Sequence, residues 1–330
     1  MTTTSPACSL ATLIGRRSHD HEFHTATFDT PEQREAVSLL PNIERQHMIE
    51  RLLVTYPLFD QLVEFIGNYH FPVIGGTHGR GSVGGLFGKT RAGKTDIIKF
   101  YCNKWPAHVV EDGIVIPVVY IPVPPDIVPQ RFAEIVYDVT GSGSAPKIKI
   151  PSLMGRSVDR IVGVRAQLVI IDDSQFLFGA HKNHVREFYG FLKQLVDRHT
   201  CNILFVGEEG VIPQVLAFGP LAARGGFPKK VLTPFGEGAM DQFRLLLLHE
   251  IDLRLPFRQL SGLANKYLAQ ELHDFTGGAT GQVMFNLVRP AAFRALNEDS
   301  PRILRHHLYE EAALRQKPGD AREYFAREAA

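Results

Sequence analysis

Between residues 114 and 206 short unbroken apolar runs alternate with stretches whose apolar positions recur every three or four residues. Ile114 to Pro122 is a β-branched run, and Gln130 to Val139, just after Pro129, has the period of an amphipathic helix. Leu168-Val169-Ile170-Ile171 and Ile203-Leu204-Phe205-Val206 are apolar on both alternating faces. Between them, Val185, Phe188, Tyr189, Leu192 and Val196 mark one helical face. Strands of this kind, separated by helices, predict a parallel sheet covered on both sides. Upstream, Ile49, Leu52, Leu53 and Tyr56 before Pro57, and Leu58, Leu62, Val63 and Ile66 after it, predict a helical region. Residues 1 to about 35 carry Thr, Ser and His clusters without periodicity and predict an irregular arm. From about residue 239 the β-branched runs stop. Faces at Leu245 to Leu248, at Leu263, Tyr267 and Leu268, and at Met284, Leu287 and Val288 predict a small helical domain. The expected division is an arm and helical region over 1–65, an α/β core over 66–236, and a helical domain with a tail over 237–330. There are no repeats.

The length of 330 residues accommodates a core domain and a smaller one, and 44% hydrophobic with 22% charged residues is ordinary for a globular protein. A net charge of +1 excludes a bulk nucleic-acid signal, so any such surface has to be a local patch. Cys8, Cys102 and Cys201 lack metal-like or redox spacing and point to a reducing compartment. No apolar run is long enough to span a bilayer, and Met1 to Pro6 lacks the features of a signal peptide. The expectation is a cytoplasmic protein with no membrane partner.

Chemistry enters at Gly88-Lys89-Thr90-Arg91-Ala92-Gly93-Lys94-Thr95, which has the spacing of a phosphate-binding P-loop. Gly88 and Gly93 let the backbone turn so that successive N–H groups face a di- or triphosphate. Lys94 is placed to reach the β- and γ-phosphates, and the Thr95 hydroxyl to ligate Mg²⁺. The following Asp96 to Tyr101 predicts a helix with its N-terminus toward the anion. Leu168 to Ile171 ends in Asp172-Asp173, the form of a Walker B strand, which predicts Asp172 beside the Mg²⁺ and Asp173 nearer the γ-phosphate. Gly75 to Ser82 lacks a Gly-Lys-Ser/Thr end and predicts a linker or flap, not a second phosphate loop. His19-Asp20-His21-Glu22-Phe23-His24 and His306-His307 lack ligand partners at metal-site spacing and predict solvated segments. Trp105, next to Pro106, is expected to pack at the end of the P-loop helix.

Taken in order, Gly88 to Thr95 with Phe100, Pro117-Val118-Val119-Tyr120 with Pro124-Pro125 and Arg131-Phe132, Ile170-Ile171-Asp172-Asp173, Val206-Gly207, Leu221-Ala222-Ala223-Arg224 and Thr276-Gly277-Gly278-Ala279-Thr280-Gly281 resemble the AAA+ ATPases. Within them, about residues 40 to 297 are most similar to the TniB/TnsC transposition regulators. The resemblance implies a three-layer P-loop core followed by a helical lid. It further implies an ATP- and Mg²⁺-dependent regulator that forms homo-oligomeric rings or filaments on double-stranded DNA and connects a targeting factor to a transposase. By the same resemblance Asp173 and Glu208 face the hydrolytic chemistry, and Arg224 is a finger reaching a neighbouring subunit's γ-phosphate.

The sequence departs from that pattern at three places. Asp173 replaces the usual Glu and is one methylene shorter, and a misplacement of about an ångström can cost ~10²-fold in rate. Glu208 stands where a small polar residue is usual. Gly281-Gln282-Val283-Met284 lacks the usual lid arginine, and Gly225-Gly226 separate Arg224 from Phe227. These departures predict intact binding and slow hydrolysis, with ATP as an assembly switch. Candidate DNA contacts are Arg131, Lys147 and Lys149 in the alternating Lys-Ile segment 145–151, and Lys182, with Arg186 a weaker one. Other functions open to the same motifs are a helicase loader, a protein remodeller, or a nucleotide-gated scaffold that never touches DNA.

Overall fold

In the computed structural model, the described residues are 21–71, 81–142 and 144–326. The segment Gly75 to Arg80, His19, Asp20 and Cys8 lie outside them. The chain divides into two compact units. One is built from Gln61–Thr90 and Lys94–Leu232, and the other from Glu22–Asp60, Arg91–Gly93 and Thr233–Ala330.

The first unit is organised on a five-stranded sheet in the order β4-β5-β6-β1-β7, with β1 Val83–Gly88, β4 Val118–Pro122, β5 Leu168–Asp172, β6 Asn202–Gly207 and β7 Lys229–Leu232. All four pairings are parallel, as the apolar runs predict. A separate antiparallel ribbon joins β2 His108–Val110 to β3 Gly113–Val115. Residues of β5 and β6 are buried throughout, because helices cover both sheet faces. The helices Pro129–Val139, Ile150–Gly163 and Lys182–Asp197 pack together on the core. Phe132 sits edge-on to Phe188 and Phe191 at ring distances of 5.5 and 5.0 Å. Trp105 closes the helix Lys94–Asn103 as expected, its N–H donating to the Cys102 carbonyl at 2.9 Å. Cys102 and Cys201 are buried thiols.

Topology fixes which side chains share an edge. β1 ends at Gly88, β5 at Asp172 and β6 at Gly207, so the P-loop, the two Asp residues and Glu208 all follow the carboxyl ends of parallel strands, where α/β sheets bind ligands. The helix Pro129–Val139 leaves this edge after β4. Ile150–Gly163 and Lys182–Asp197 run back toward the amino edge to enter β5 and β6, so they begin near the carboxyl edge too.

The second unit is helical. Thr30 caps the helix Pro31–Ser38 through a reciprocal box with Gln33, so this stretch is ordered earlier than the expected irregular arm allowed. Arg34 donates to the carbonyls of Asp252 and Phe257, and Arg45 donates to that of Pro256 while lying over the Phe257 ring. The buried Asp252 carboxylate accepts the N–H groups of Ser261, Gly262 and Leu263 at 2.8, 2.7 and 3.3 Å, tying a loop to the helix His249–Arg254. The helix Lys266–Thr276 buries Ala269, Leu272, His273 and Thr276. That turns Tyr267 outward to 79% exposure, contrary to its expected place on an apolar face. Leu245 and Leu246 also face out, while Leu247 and Leu248 are buried. Val283–Val288 is a π-helical stretch just before Pro290. The proline lacks the N–H that the Asn286 carbonyl would otherwise accept, and its ring crowds that carbonyl, so the helix widens there. Among the described residues no helix is long and apolar enough to cross a membrane.

Candidate nucleotide site

The P-loop leaves the end of β1 and closes into the helix Lys94–Asn103. Gly93 takes φ +102° and Arg91 takes φ +58°, and the turn brings the buried Lys94 back over the loop. Its ammonium donates to the carbonyls of Gly88 and Lys89, both at 2.8 Å. Burial pushes the Lys94 pKa down, while the carboxylates of Asp172, Asp173 and Glu208 oppose that shift. Ala92 is buried, whereas Lys89, Thr90 and Arg91 are exposed at the rim.

Asp172 is 2% exposed and is held by three donors. Its Oδ2 accepts the Thr95 hydroxyl at 3.0 Å and the Tyr120 hydroxyl at 2.9 Å, and its Oδ1 accepts the Asp173 N–H at 2.9 Å. Burial raises the Asp172 pKa, and Asp173 adds to the rise. Burial beside Asp172 likewise pushes the Tyr120 phenol up, so it stays a donor. Thr95 and Asp172 are hard oxygen donors brought within hydrogen-bond reach at the mouth of a P-loop, a donor set that suits Mg²⁺. The residues present therefore fit that ion.

Asp173 stands in the left-handed region, at φ +53°, with its carboxylate accepting from Gln175 Nε2 at 3.0 Å. Asp tolerates this backbone better than Glu, because its short side chain bonds locally. The missing methylene is thus matched to the turn that follows β5. Ser174 fastens the same turn to β6 by donating its N–H and hydroxyl to the Val206 carbonyl. Glu208 accepts the Thr90 hydroxyl at 2.5 Å, and a cavity of about 280 Å³ opens against Gly88, Lys89, Thr90, Glu208, Glu209 and Gly210. One side of the P-loop mouth therefore carries negative charge.

The structure brings Thr90, Lys94, Thr95, Asp172, Asp173 and Glu208 to one edge of the sheet. Arg224 is not among them. Its carbonyl accepts the N–H of Val83, the first residue of β1, so it lies at the amino edge, about 17 Å of strand from Gly88. Its guanidinium pairs with Asp197 of the same chain. Lys147 and Lys149 are exposed while Ile148 and Ile150 pack inward, as the alternation predicts. Arg131 shares its charge with Glu134 at 3.1 Å, and Lys182 opens its helix toward solvent. Sequence reasoning gave no role to Tyr120 or Gln175. The only signal for either was proximity to the ends of β4 and β5.

In the second unit, Arg91 of the loop tip donates to Asn286 at 2.6 Å. A Cβ on Gly281 would fall 2.2 Å from the Arg91 carbonyl oxygen, so glycine is required where this helix start meets the tip. His306-His307 is not the solvated segment expected, because His307 is fully buried. Its Nδ1 accepts the Leu304 N–H at 2.9 Å, which leaves the ring proton on Nε2, directed at Glu298. A metal would need that Nε2 lone pair, so the cluster of Glu298, His306 and His307 is a helix cap.

Residues 78–218, which span the P-loop, both Asp residues and Glu208, match the family model described as "Bacterial TniB protein". Over those residues the chain is similar to the TniB family. No curated protein matches it. Solved structures supply the fold comparison. The Aeropyrum pernix ORC1 protein, solved in complex with DNA, superposes with a TM-score of 0.58 at 15% identity, covering 86% of this chain and 69% of that one. Cdc6p from Pyrobaculum aerophilum gives 0.54 at 14% identity over 77% and 65%. The Aeropyrum pernix ORC2 protein, solved as ADPNP–ADP complexes, gives 0.53 at 12% identity over 78% and 67%. The chain thus shares their P-loop α/β core with a helical C-terminal part, and spans about two thirds of their length.

Proposed function

We propose that this chain is an ATP-dependent regulator of DNA transposition. It binds ATP with Mg²⁺, assembles on double-stranded DNA as a homo-oligomeric ring or filament, and links target selection by a targeting factor to recruitment of a transposase. The observation that carries this reading is the coincidence of the TniB match over residues 78–218 with the Lys94, Thr95 and Asp172 geometry inside it.

Lys94 is already desolvated and needs only to exchange two carbonyl partners for phosphate oxygens. The Thr95 hydroxyl donates its proton to Asp172, which leaves its oxygen lone pairs available to Mg²⁺. The ion supplies neutralisation of phosphate charge. Asp173 orients water from a short side chain, and Glu208 and Glu209 set negative charge beside the loop, so turnover is slow and ATP serves chiefly as a switch. Arg224, at the far edge of its own sheet, acts on the γ-phosphate of an adjoining subunit after leaving Asp197, an exchange that a partly exposed ion pair resists by ~1 kcal/mol or less. Arg131, Lys147, Lys149 and Lys182 follow DNA phosphates, giving largely sequence-independent contact. The DNA in the ORC1 structure and the ADPNP in the ORC2 structure support a DNA-associated, nucleotide-holding role for this fold.

Phosphate release measured with and without duplex DNA, beside a mobility-shift titration with a nonhydrolysable ATP analogue, tests the proposal. Slow turnover and analogue-dependent shifts are expected. Brisk turnover without DNA, or no DNA binding in any nucleotide state, overturns it.

A further inference from the structure

Tyr120 lies on β4 opposite Ile170 of β5, and side chains alternate along each strand. Tyr120, Ile170 and Asp172 therefore share one face of the sheet, with Tyr120 and Asp172 diagonal neighbours across the β4–β5 pairing. A phenol spans that diagonal. Its hydroxyl meets Asp172 Oδ2 at 2.9 Å, the same oxygen that accepts the Thr95 proton at 3.0 Å. The Asp173 N–H holds the other carboxylate oxygen. The Asp172 plane is thus fixed from three sides, and two of the three donors bind one oxygen.

We infer that Tyr120 is a positioning residue for the cation of the nucleotide site: its hydroxyl orients Asp172 so that Thr95 gives its proton inward and turns its lone pairs toward Mg²⁺. This rests on the Mg²⁺–nucleotide reading above. The chemistry is specific to a hydroxyl. Phenylalanine fills the same volume on the buried face but leaves Asp172 Oδ2 held by Thr95 alone. The carboxylate can then rotate, and the Thr95 proton loses its fixed acceptor. Lys94 is untouched by the change, because its ammonium is held by the Gly88 and Lys89 carbonyls. The effect should therefore fall on the metal dependence of binding and spare the contact between lysine and phosphate.

The test is a Mg²⁺ titration of fluorescent ATP-analogue binding by wild type and Tyr120→Phe, with a parallel measurement in EDTA. The expected result is a Mg²⁺ midpoint raised about three- to tenfold, the range of one ordinary intramolecular hydrogen bond, with EDTA affinity within about twofold of wild type. In an Asp172→Asn background, Tyr120→Phe should leave the Mg²⁺ midpoint unchanged. Melting temperatures of the four proteins without ligand report folding independently. An unchanged midpoint overturns the inference, as does an equal loss with and without Mg²⁺, which marks Tyr120 as merely structural. A wild-type protein that binds no nucleotide overturns the underlying site reading itself.

Discussion

Asp172→Asn should stabilise the free protein and weaken the loaded one. Asp172 is buried beside a second carboxylate, and both burial and Asp173 push its pKa above the ordinary 3.8. A group whose pKa rises on folding contributes stability that is complete below the unfolded value and is lost as pH rises through the folded one. At neutral pH the ionised Asp172 is therefore a cost. Asparagine keeps the shape and all three hydrogen bonds: its oxygen accepts the Asp173 N–H, and its amide donates to the two hydroxyls, which turn to accept. What disappears is a buried charge. Its repulsion with Asp173 disappears as well. A net gain near 1 kcal/mol raises Tm by roughly 2–4 °C for a domain of this size. The order should reverse with Mg–ATP. Ligand at about a hundred times Kd adds ~2.7 kcal/mol to wild type. Losing the carboxylate's support should weaken binding about tenfold and remove about 1.4 kcal/mol of that increment. Calorimetric melts in EDTA and in Mg–ATP should therefore cross between the two proteins, and the advantage of Asn in EDTA should shrink as pH falls toward 4. A variant that melts below wild type in EDTA, or keeps the whole Mg–ATP increment, refutes the reasoning.

Three other outcomes follow from the geometry. Asp252→Ala leaves three backbone N–H groups without their buried acceptor and should cost about 2–4 kcal/mol, read by urea denaturation of the helical unit. Gly281→Ala places a methyl 2.2 Å from the Arg91 oxygen, so the loop tip has to shift. It should lower stability by about 1–3 kcal/mol in a thermal melt and weaken nucleotide binding in the same titration. Arg224→Ala should leave binding of ATP by the monomer within about twofold of wild type while abolishing ATP-dependent oligomers in sedimentation and lowering DNA-stimulated turnover by ~10³-fold or more.

The sheet was legible because β4, β5 and β6 are buried on both faces and so read as continuous apolar runs. β1 was harder to see: Gly84 and Gly85 remove the apolar signal, and the Phe87 ring fills the space where a Gly85 side chain would go. The helical unit was legible as a class but not in its facing. Periodicity marks a stripe, yet only packing decides that Ala269 and Leu272 turn inward and Tyr267 out. In the site, Lys94, Thr95 and Asp172 follow from spacing alone, since the phosphate loop and strand end impose it. Tyr120 does not, because its part depends on register between strands about 50 residues apart in sequence. The φ of Asp173 was equally hidden, though it makes sense of the shorter acid there.

Under the proposed function, nucleotide in this site controls assembly on DNA. Negative-stain microscopy of wild type and Lys94→Ala on duplex DNA, with and without a nonhydrolysable ATP analogue, tests it most directly. Rings or filaments on DNA are expected only for wild type with the analogue. Assemblies that form equally without nucleotide or in Lys94→Ala, or analogue-dependent oligomers indifferent to DNA, would contradict it.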